Sequence, residues 1–182
     1  MLESLNAELL SHDSATATLE HWCGVHHLAE PPVIVAERVA MPEKPPTPEQ
    51  RRELGVSDSE PVRHRHVRLR CGSRVLSEAD NWYVPGRLTE EMNRQLDQSD
   101  IPFGKVVKSL HFQRHTLAAS LMWRPLPEGW EMSGTLRRPS GPLELPEHLL
   151  QHRALLQTPG GTPISEVVET YTREVMAFRP SE

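Results

Sequence analysis

The sequence predicts a single α+β domain over residues 1–182, built on an antiparallel sheet of about six strands. The length of 182 residues suits one domain. β-branched and alternating segments recur along the chain, and two of them flank the turn Cys71-Gly72-Ser73-Arg74 as a hairpin. Segments with helical spacing and capping residues lie before and between them. The predicted strands span residues 33–39, 62–71, 74–84, 111–124, 149–158 and 162–178.

Short helices are predicted where a capping residue precedes an apolar face. Asp13 or Ser14 caps one of them. The segment Thr47-Pro48-Glu49-Gln50 combines a capping box with proline at the first helical position, and Thr89 caps a later helix. The Pro-rich segment 125–146 is predicted to be a loop. The predicted helices span residues 2–10, about 14–23, 48–55 and 90–96.

The two predicted hairpins resemble each other. A shift of 88 positions places His64-Arg65 on His152-Arg153 and Tyr83 on Tyr171 without a gap. One pair of units is too few for a solenoid. Either the chain carries a duplicated hairpin framework whose halves face a shared interior, or two antiparallel hairpins share composition by chance.

Composition and charge exclude several classes of function. The net charge of −5, with ten neutral histidines, gives no overall reason to expect nucleic acid, whose binders usually show a basic face. The basic run from Arg63 to Arg70 contains no aromatic residue, so we interpret it as a strand and not as a nucleic-acid site. No apolar stretch has the length of a membrane helix or an export signal. A cytoplasmic protein without a membrane partner is therefore expected.

The cysteines and nearby histidines do not indicate a metal site. Cys23 and Cys71 are too few for the disulfide framework of a secreted domain, and they lack paired zinc-ligand spacing. His21, Cys23, His26 and His27 match no standard zinc pattern, and we interpret the histidines as the exposed end of a helix. No metal is expected.

Four segments, in order along nearly the whole chain, carry a resemblance to a known family. They are Leu9-Leu10 with Asp13-Ser14-Ala15-Thr16 and Leu19-Glu20, the hairpin that reaches Cys71 and closes at Val84-Pro85, Ile101-Pro102-Phe103-Gly104, and Gly161-Thr162-Pro163 with Glu169-Thr170-Tyr171. None is specific alone. In this order and spacing, the chain resembles the chorismate lyase (chorismate pyruvate-lyase) family, whose relatives include effector domains of some bacterial transcription regulators. The resemblance implies helices and flaps that cover a buried ligand cavity on the sheet.

The resemblance also implies how a ligand carboxylate would be held. The family uses an arginine, and His66 falls at that position in this chain. A histidine is mostly neutral at pH 7, whereas arginine presents a fixed, charged fork. Arg68, two residues later on the same sheet face, is the alternative anchor. Arg65 would reach the ligand only through a bulge in the strand.

Further site residues follow from the same resemblance. Glu169, or its neighbour Glu166, is implied as the catalytic carboxylate, and backbone amides at Ala15 and Phe103 as hydrogen-bond donors. A buried carboxylate near a cation suits proton movement. The alternative for Glu169 is a solvated or arginine-paired strand residue. Trp82 either walls an aromatic pocket or packs in the core.

Two functions are compatible with these residues. The first is a lyase that converts chorismate to 4-hydroxybenzoate and pyruvate without a metal or organic cofactor. The second is a non-catalytic module that binds a small aromatic or cyclic carboxylate, like the regulator effector domains. His66 at the expected arginine position is the feature that separates them. The sequence leaves the oligomeric state open.

Overall fold

The computed structural model describes residues 1–124 and 144–178. The loop predicted at 125–146 lies outside the described residues, except for its last three residues. The strands are β1 (Ile34–Arg38), β2 (Arg63–Cys71), β3 (Arg74–Tyr83), β4 (Gln113–Leu121), β5 (His148–Gln157) and β6 (Pro163–Thr172). They form one antiparallel sheet in the order β1-β2-β3-β6-β5-β4. The predicted α+β class and the six strands are confirmed.

Two strands are shorter than the sequence indicates. β6 was expected to reach residue 178 but ends at Thr172. The Thr172 Oγ1 accepts the N–H of Glu174 at 3.1 Å and starts the 3₁₀ turn Arg173–Met176, so the extended conformation stops there. β4 begins at Gln113 and not at 111, because His111 adopts a left-handed conformation with φ of 49°.

The helices begin where the capping residues predict. Ser14, not Asp13, caps α2, and its Oγ accepts the N–H of Ala17 at 3.2 Å. Thr47 and Gln50 form the predicted reciprocal capping box at the start of α3. The short helix α5 was not predicted from the sequence. The helices are α1 (Leu2–Ser11), α2 (Ala15–Val25), α3 (Pro48–Leu54), α4 (Glu90–Gln98) and α5 (Phe103–Val106).

The two faces of the sheet are covered by different helices. The face that carries Val67, Ala79 and Val167, here called the inner face, packs against α1 and α2 in the main core. The opposite, outer face carries Trp82, which packs with Leu54 of α3. Within the described parts of the chain, no helix combines the length and apolarity that a membrane crossing needs.

The two similar hairpins lie side by side in the sheet. β3 pairs with β6, and Asp80 lies opposite Val168. The 88-residue shift makes these two residues equivalent to each other. The register is therefore symmetric about this pair. The flanking strands β2 and β5 break the symmetry. His64 of β2 lies opposite Trp82, whereas His152 of β5 lies opposite Glu169, which is one residue away from the equivalent of Trp82.

That one-residue difference turns equivalent side chains to opposite faces. Arg65 lies opposite Asn81 and faces inward, whereas Arg153 lies opposite Val168 and faces outward. His64 faces outward and His152 inward. The same dipeptide therefore supplies a buried arginine in one hairpin and a buried histidine in the other.

The two cysteines, which gave no signal in the sequence, form a disulfide between the end of α2 and the end of β2. Cys23 and Cys71 are both fully buried in the main core. The bond ties the helix over the inner face to the strand that carries Arg65.

A candidate ligand cavity on the inner face

A cavity lies between the inner face and the starts of α2 and α5. Its volume is about 500 Å³, including the part open to solvent. Its floor is mainly apolar, and a few polar side chains converge on it. The lining residues are Asp13, Ser14, Ala15, Thr16, Arg65, Val67, Leu69, Ala79, Asn81, Phe103, Gly104, Phe112, Arg114, Leu156, Val167 and Glu169.

Arg65 is the unusual charge in this cavity. The residue is only 7% exposed. Its Nη2 donates to the main-chain carbonyl oxygens of Ser99 at 3.4 Å and Ile101 at 3.2 Å, while its Nε has no partner among the described residues. Burial, with a smaller effect from the like charge of Arg38, lowers the pKa of Arg65 to about 10. It still carries a charge at neutral pH.

Arg114 and Glu169 form the second polar group. The Arg114 Nη2 lies 2.6 Å from the Glu169 Oε2, and the side chains are 3% and 7% exposed. The same Oε2 accepts a hydrogen bond from the Tyr171 hydroxyl at 3.1 Å. Burial has the largest single effect on the pKa of Arg114 and acts to lower it, but the charge of Glu169, the effect of Tyr171 and the hydrogen bond to Glu169 together raise the pKa. Burial raises the pKa of Tyr171 well above its usual value.

The start of α2 closes one side of the cavity. Ser14 caps the helix. The first N–H groups of the helix, including those of Ala15 and Thr16, have no acceptor within the helix. The positive end of the helix dipole therefore faces the cavity. Gly104 of α5 lies against this turn, where an added Cβ would stand 3.4 Å from the Ser14 Oγ.

A buried histidine lies beside the ion pair. His152 faces inward next to Glu169, and its ring packs against Tyr171 at 5.6 Å between centroids. Its Nε2 donates to the Asn6 Oδ1 at 2.8 Å if this nitrogen carries the proton, while its Nδ1 has no partner among the described residues. Burial, followed by the charge of Arg114, lowers the pKa of His152 to about 4.

Three of the residues predicted from the sequence line the cavity. Glu169 lies at its polar end, Ala15 at the start of α2 and Phe103 at the start of α5. They come from three elements that are distant in the chain, and the fold brings them together around Arg65.

The other four predicted residues lie on the outer face. His66 donates from its Nδ1 to the Asp80 Oδ1 at 2.9 Å. The Arg68 side chain is 44% exposed and pairs with Glu78 at 3.1 Å. Neither side chain shares the cavity.

Glu166 and Trp82 are buried on the outer face beneath α3. The Glu166 Oε1 accepts from the Arg153 Nε at 2.8 Å and from the Gln50 Nε2 at 3.2 Å. Trp82 packs in the small core with Leu54 and donates its indole N–H to the carbonyl oxygen of Lys44. Of the two uses considered for Trp82, the structure places it in core packing.

The sequence analysis missed the inner position of Arg65 and the partner of Glu169. Arg65 precedes Val67 by two residues, so strand alternation alone puts it on the face of Val67 and Leu69 without any bulge. The bulge in β2 lies farther on, between Leu69 and Arg70. No local pattern pointed to Arg114, because its partner is 55 residues away.

The described residues contain no group of three or more histidine, cysteine, aspartate or glutamate side chains placed to hold a metal ion. The charges in the cavity are those of Arg65, Arg114, Glu169 and Asp13. Because Arg114 and Glu169 neutralise each other, Arg65 is the cation that can hold an anionic ligand there.

Solved structures share this fold at low sequence identity. PhnF from Mycobacterium smegmatis matches with a TM-score of 0.56 and 13% identity, over 93% of this chain and 68% of that chain. The effector domain of PhnF from the same organism matches with a TM-score of 0.53 and 12% identity, over 88% of each chain. At such identity the likeness concerns the fold alone.

Comparison by sequence gives a much closer relative. No protein-family model matches the chain. The uncharacterized protein y4mC of Sinorhizobium fredii is 54% identical over 180 residues, which cover 98% of this chain and 76% of that protein. With this identity over almost its whole length, the chain belongs to the same family as y4mC.

Proposed function

We propose that this domain binds a small aromatic or cyclic carboxylate in the inner-face cavity, as an effector-type binding module. The buried guanidinium of Arg65 carries the proposal. A charge removed from water is costly unless it is paired, and Arg65 has no carboxylate partner among the described residues. Two main-chain carbonyl oxygens hold one edge of its fork, so other donors stay available to a ligand.

The chemistry of the lining supports a carboxylate on a ring. A guanidinium binds a carboxylate through two parallel hydrogen bonds. The helix dipole at Ser14 and Ala15 adds a further attraction for an anion. Phe103 and Phe112 provide apolar walls that suit a flat ring.

The partners of Glu169 favour binding over turnover. Its Oε2 already accepts hydrogen bonds from Arg114 and Tyr171. To act as a proton shuttle, the carboxylate would have to leave partners that hold it in place. The fold is also shared with a domain named as an effector domain, that of PhnF, which supports a binding module.

Lyase activity is the second candidate. It is supported by Glu169 and Arg65, a carboxylate and a cation in one cavity, which is the combination that the resemblance to chorismate lyases implies. Under this alternative the protein would release pyruvate from chorismate, and substitution of Glu169 would abolish that release. The expected cytoplasmic location is compatible with both candidate functions.

A calorimetric titration with 4-hydroxybenzoate tests the binding proposal. We expect Arg65→Met to weaken binding by about tenfold or more, since charge-assisted hydrogen bonds contribute roughly 1.5–3 kcal/mol. Arg68→Met removes the same charge from the outer face and should leave the affinity unchanged. Equal affinities for both variants would show that Arg65 is not the anchor.

Incubation with chorismate separates the two candidates. We expect 4-hydroxybenzoate to bind and no pyruvate to be released. Pyruvate release that is lost in Glu169→Gln and retained in Glu166→Gln would instead establish the lyase.

A further inference from the structure

A second pocket lies at the edge of the sheet where β1 ends. The chain leaves this edge after the N–H of Val39 donates to the carbonyl oxygen of His66 at 3.2 Å. It returns at Lys44, whose N–H donates to the His64 Nδ1 at 3.3 Å. The space between this segment and β2 is about 580 Å³, including its open part. We call it the edge pocket, and its charged lining residues are Arg38, Glu43, Arg63, Arg65 and Asp97.

The arginines of the edge pocket are unequally neutralised. Arg63 pairs with the Asp97 carboxylate at 2.8 Å. Arg38 donates to the main-chain carbonyl oxygen of Asp97, and Arg65 to those of Ser99 and Ile101. Among the described residues, no carboxylate forms an ion pair with Arg38 or Arg65.

Main-chain carbonyl oxygens of one segment, Asp97–Ile101, therefore hold two like charges beside the same pocket. Arg38 and Arg65 line the same pocket, and the like charge of Arg38 acts together with burial to lower the pKa of Arg65. An anion between them would offset this repulsion, and each guanidinium fork matches two oxygens of a carboxylate or phosphate group.

We propose that the edge pocket is a second binding site, which takes a small oxyanion between Arg38 and Arg65. Arg63 also lines this pocket, where its guanidinium neutralises the Asp97 carboxylate that would otherwise repel an anion. A phosphate and a carboxylate offer the same chemistry to these forks. The site does not depend on the function proposed for the inner-face cavity, because Arg38 and Arg63 line only the edge pocket.

Arg65 lines both the edge pocket and the inner-face cavity. An anion at either site uses donors of the same guanidinium. Occupation of the edge pocket should therefore weaken the binding of a carboxylate in the cavity, and the effect is reciprocal by thermodynamic linkage.

Titration of the purified chain with inorganic phosphate, and separately with acetate, tests the proposal and distinguishes the two oxyanions. We expect Arg38→Gln to weaken binding of the preferred anion by about tenfold or more. Arg52→Gln makes the same change on the exposed side of α3 and should bind as the wild type does. Gly104→Val narrows the inner-face cavity and should also leave this binding unchanged.

The possible results are distinct. If Arg38→Gln does not fold, as judged by circular dichroism, Arg63→Gln takes its place and should weaken binding in the same direction. Binding that survives Arg38→Gln or Arg63→Gln in a folded protein, or that is lost in Gly104→Val, would overturn the proposal, as would no binding of either anion. Loss of 4-hydroxybenzoate binding alone would count against the inner-face cavity and not against the edge pocket.

Discussion

Arg114 of β4 and Glu169 of β6 form a buried ion pair across the intervening strand β5, with 2.6 Å between the Nη2 and the Oε2. Tyr171 donates to the same carboxylate oxygen. Because the pair neutralises both groups, the net charge of the inner-face cavity depends on Arg65 and Asp13. Arg114 is therefore a structural arginine, whereas Arg65 is available to a ligand.

Removal of one member of this pair should be strongly destabilising. Arg114→Met leaves the Glu169 carboxylate buried with only the Tyr171 hydroxyl, and we expect the free energy of unfolding to fall by about 3–5 kcal/mol. The double variant Arg114→Met/Glu169→Gln removes both charges and should recover much of the loss. Urea unfolding measures both effects. A double variant no more stable than Arg114→Met would show that the unpaired charge is not the cause.

His152 should make stability depend on pH between about 4 and 6.5. Its pKa is lowered to about 4 in the folded protein from an ordinary value of 6.5, so the unfolded chain takes up the proton first as the pH falls. Stability from this group is complete above pH 6.5 and decreases toward pH 4, with a loss on the order of 3 kcal/mol.

Unfolding at a series of pH values measures this dependence. His152→Gln should remove this part of the slope, whereas His115→Gln, a change at an exposed histidine of β4, should retain it. Equal slopes for both variants would assign the pH dependence to other groups.

Gly104 should control the size of the inner-face cavity. In Gly104→Val the added Cβ would stand 3.6 Å from both the Thr16 Oγ1 and the Phe112 Cζ, so the two methyl groups extend into the space for a ligand. We expect the affinity for 4-hydroxybenzoate to fall by about tenfold or more, as for the loss of a well-packed contact of 1.4 kcal/mol or more.

Gly86→Val is the matched control, because an added Cβ there meets nothing within 4 Å. Calorimetry gives the affinities and thermal unfolding shows that both variants fold. Unchanged affinity in Gly104→Val would place the ligand elsewhere.

The disulfide between Cys23 and Cys71 should contribute strongly to stability. The two residues are 48 positions apart, and for a loop of this length the chain-entropy model gives about 4 kcal/mol. We expect Cys23→Ser/Cys71→Ser to lower the free energy of unfolding by this order.

The redox state of the cysteines also bears on the compartment. Disulfides are rare in cytosolic proteins, so the bond and the expected cytoplasmic location oppose each other. Thiols counted by mass spectrometry after alkylation in intact cells distinguish the two. Two free thiols would mean that the bond does not form in the cell, and stability should then be equal in reduced wild type and the double variant.

The sequence was a good guide to local structure. The capping box at Thr47 and Gln50 and the cap at Ser14 depend on hydrogen bonds between residues three positions apart, so the residue types alone predict them. Alternation likewise placed Val67 and Leu69 on one face of β2. The six strands followed from the same kind of local pattern.

The candidate site was predictable only in part. Ala15, Phe103 and Glu169 were identified because they lie in segments that resemble those of the chorismate lyase family. In the structure all three line one cavity. His66 and Arg68 were expected there but lie on the outer face. The sequence showed a polar face on β2, but not that the helices cover the other face.

By itself, the sequence determined the strands, the helix caps and the α+β class, because these depend on neighbours within a few positions. Strand alternation put Arg65 on the face of Val67 and Leu69, but only the tertiary structure decided that helices bury this face. Arg65 and Arg153 occupy equivalent places in two similar hairpins, yet a one-residue difference in register turns the first inward and the second outward. Register depends on pairing between distant strands, and the sequence contains no local signal for it.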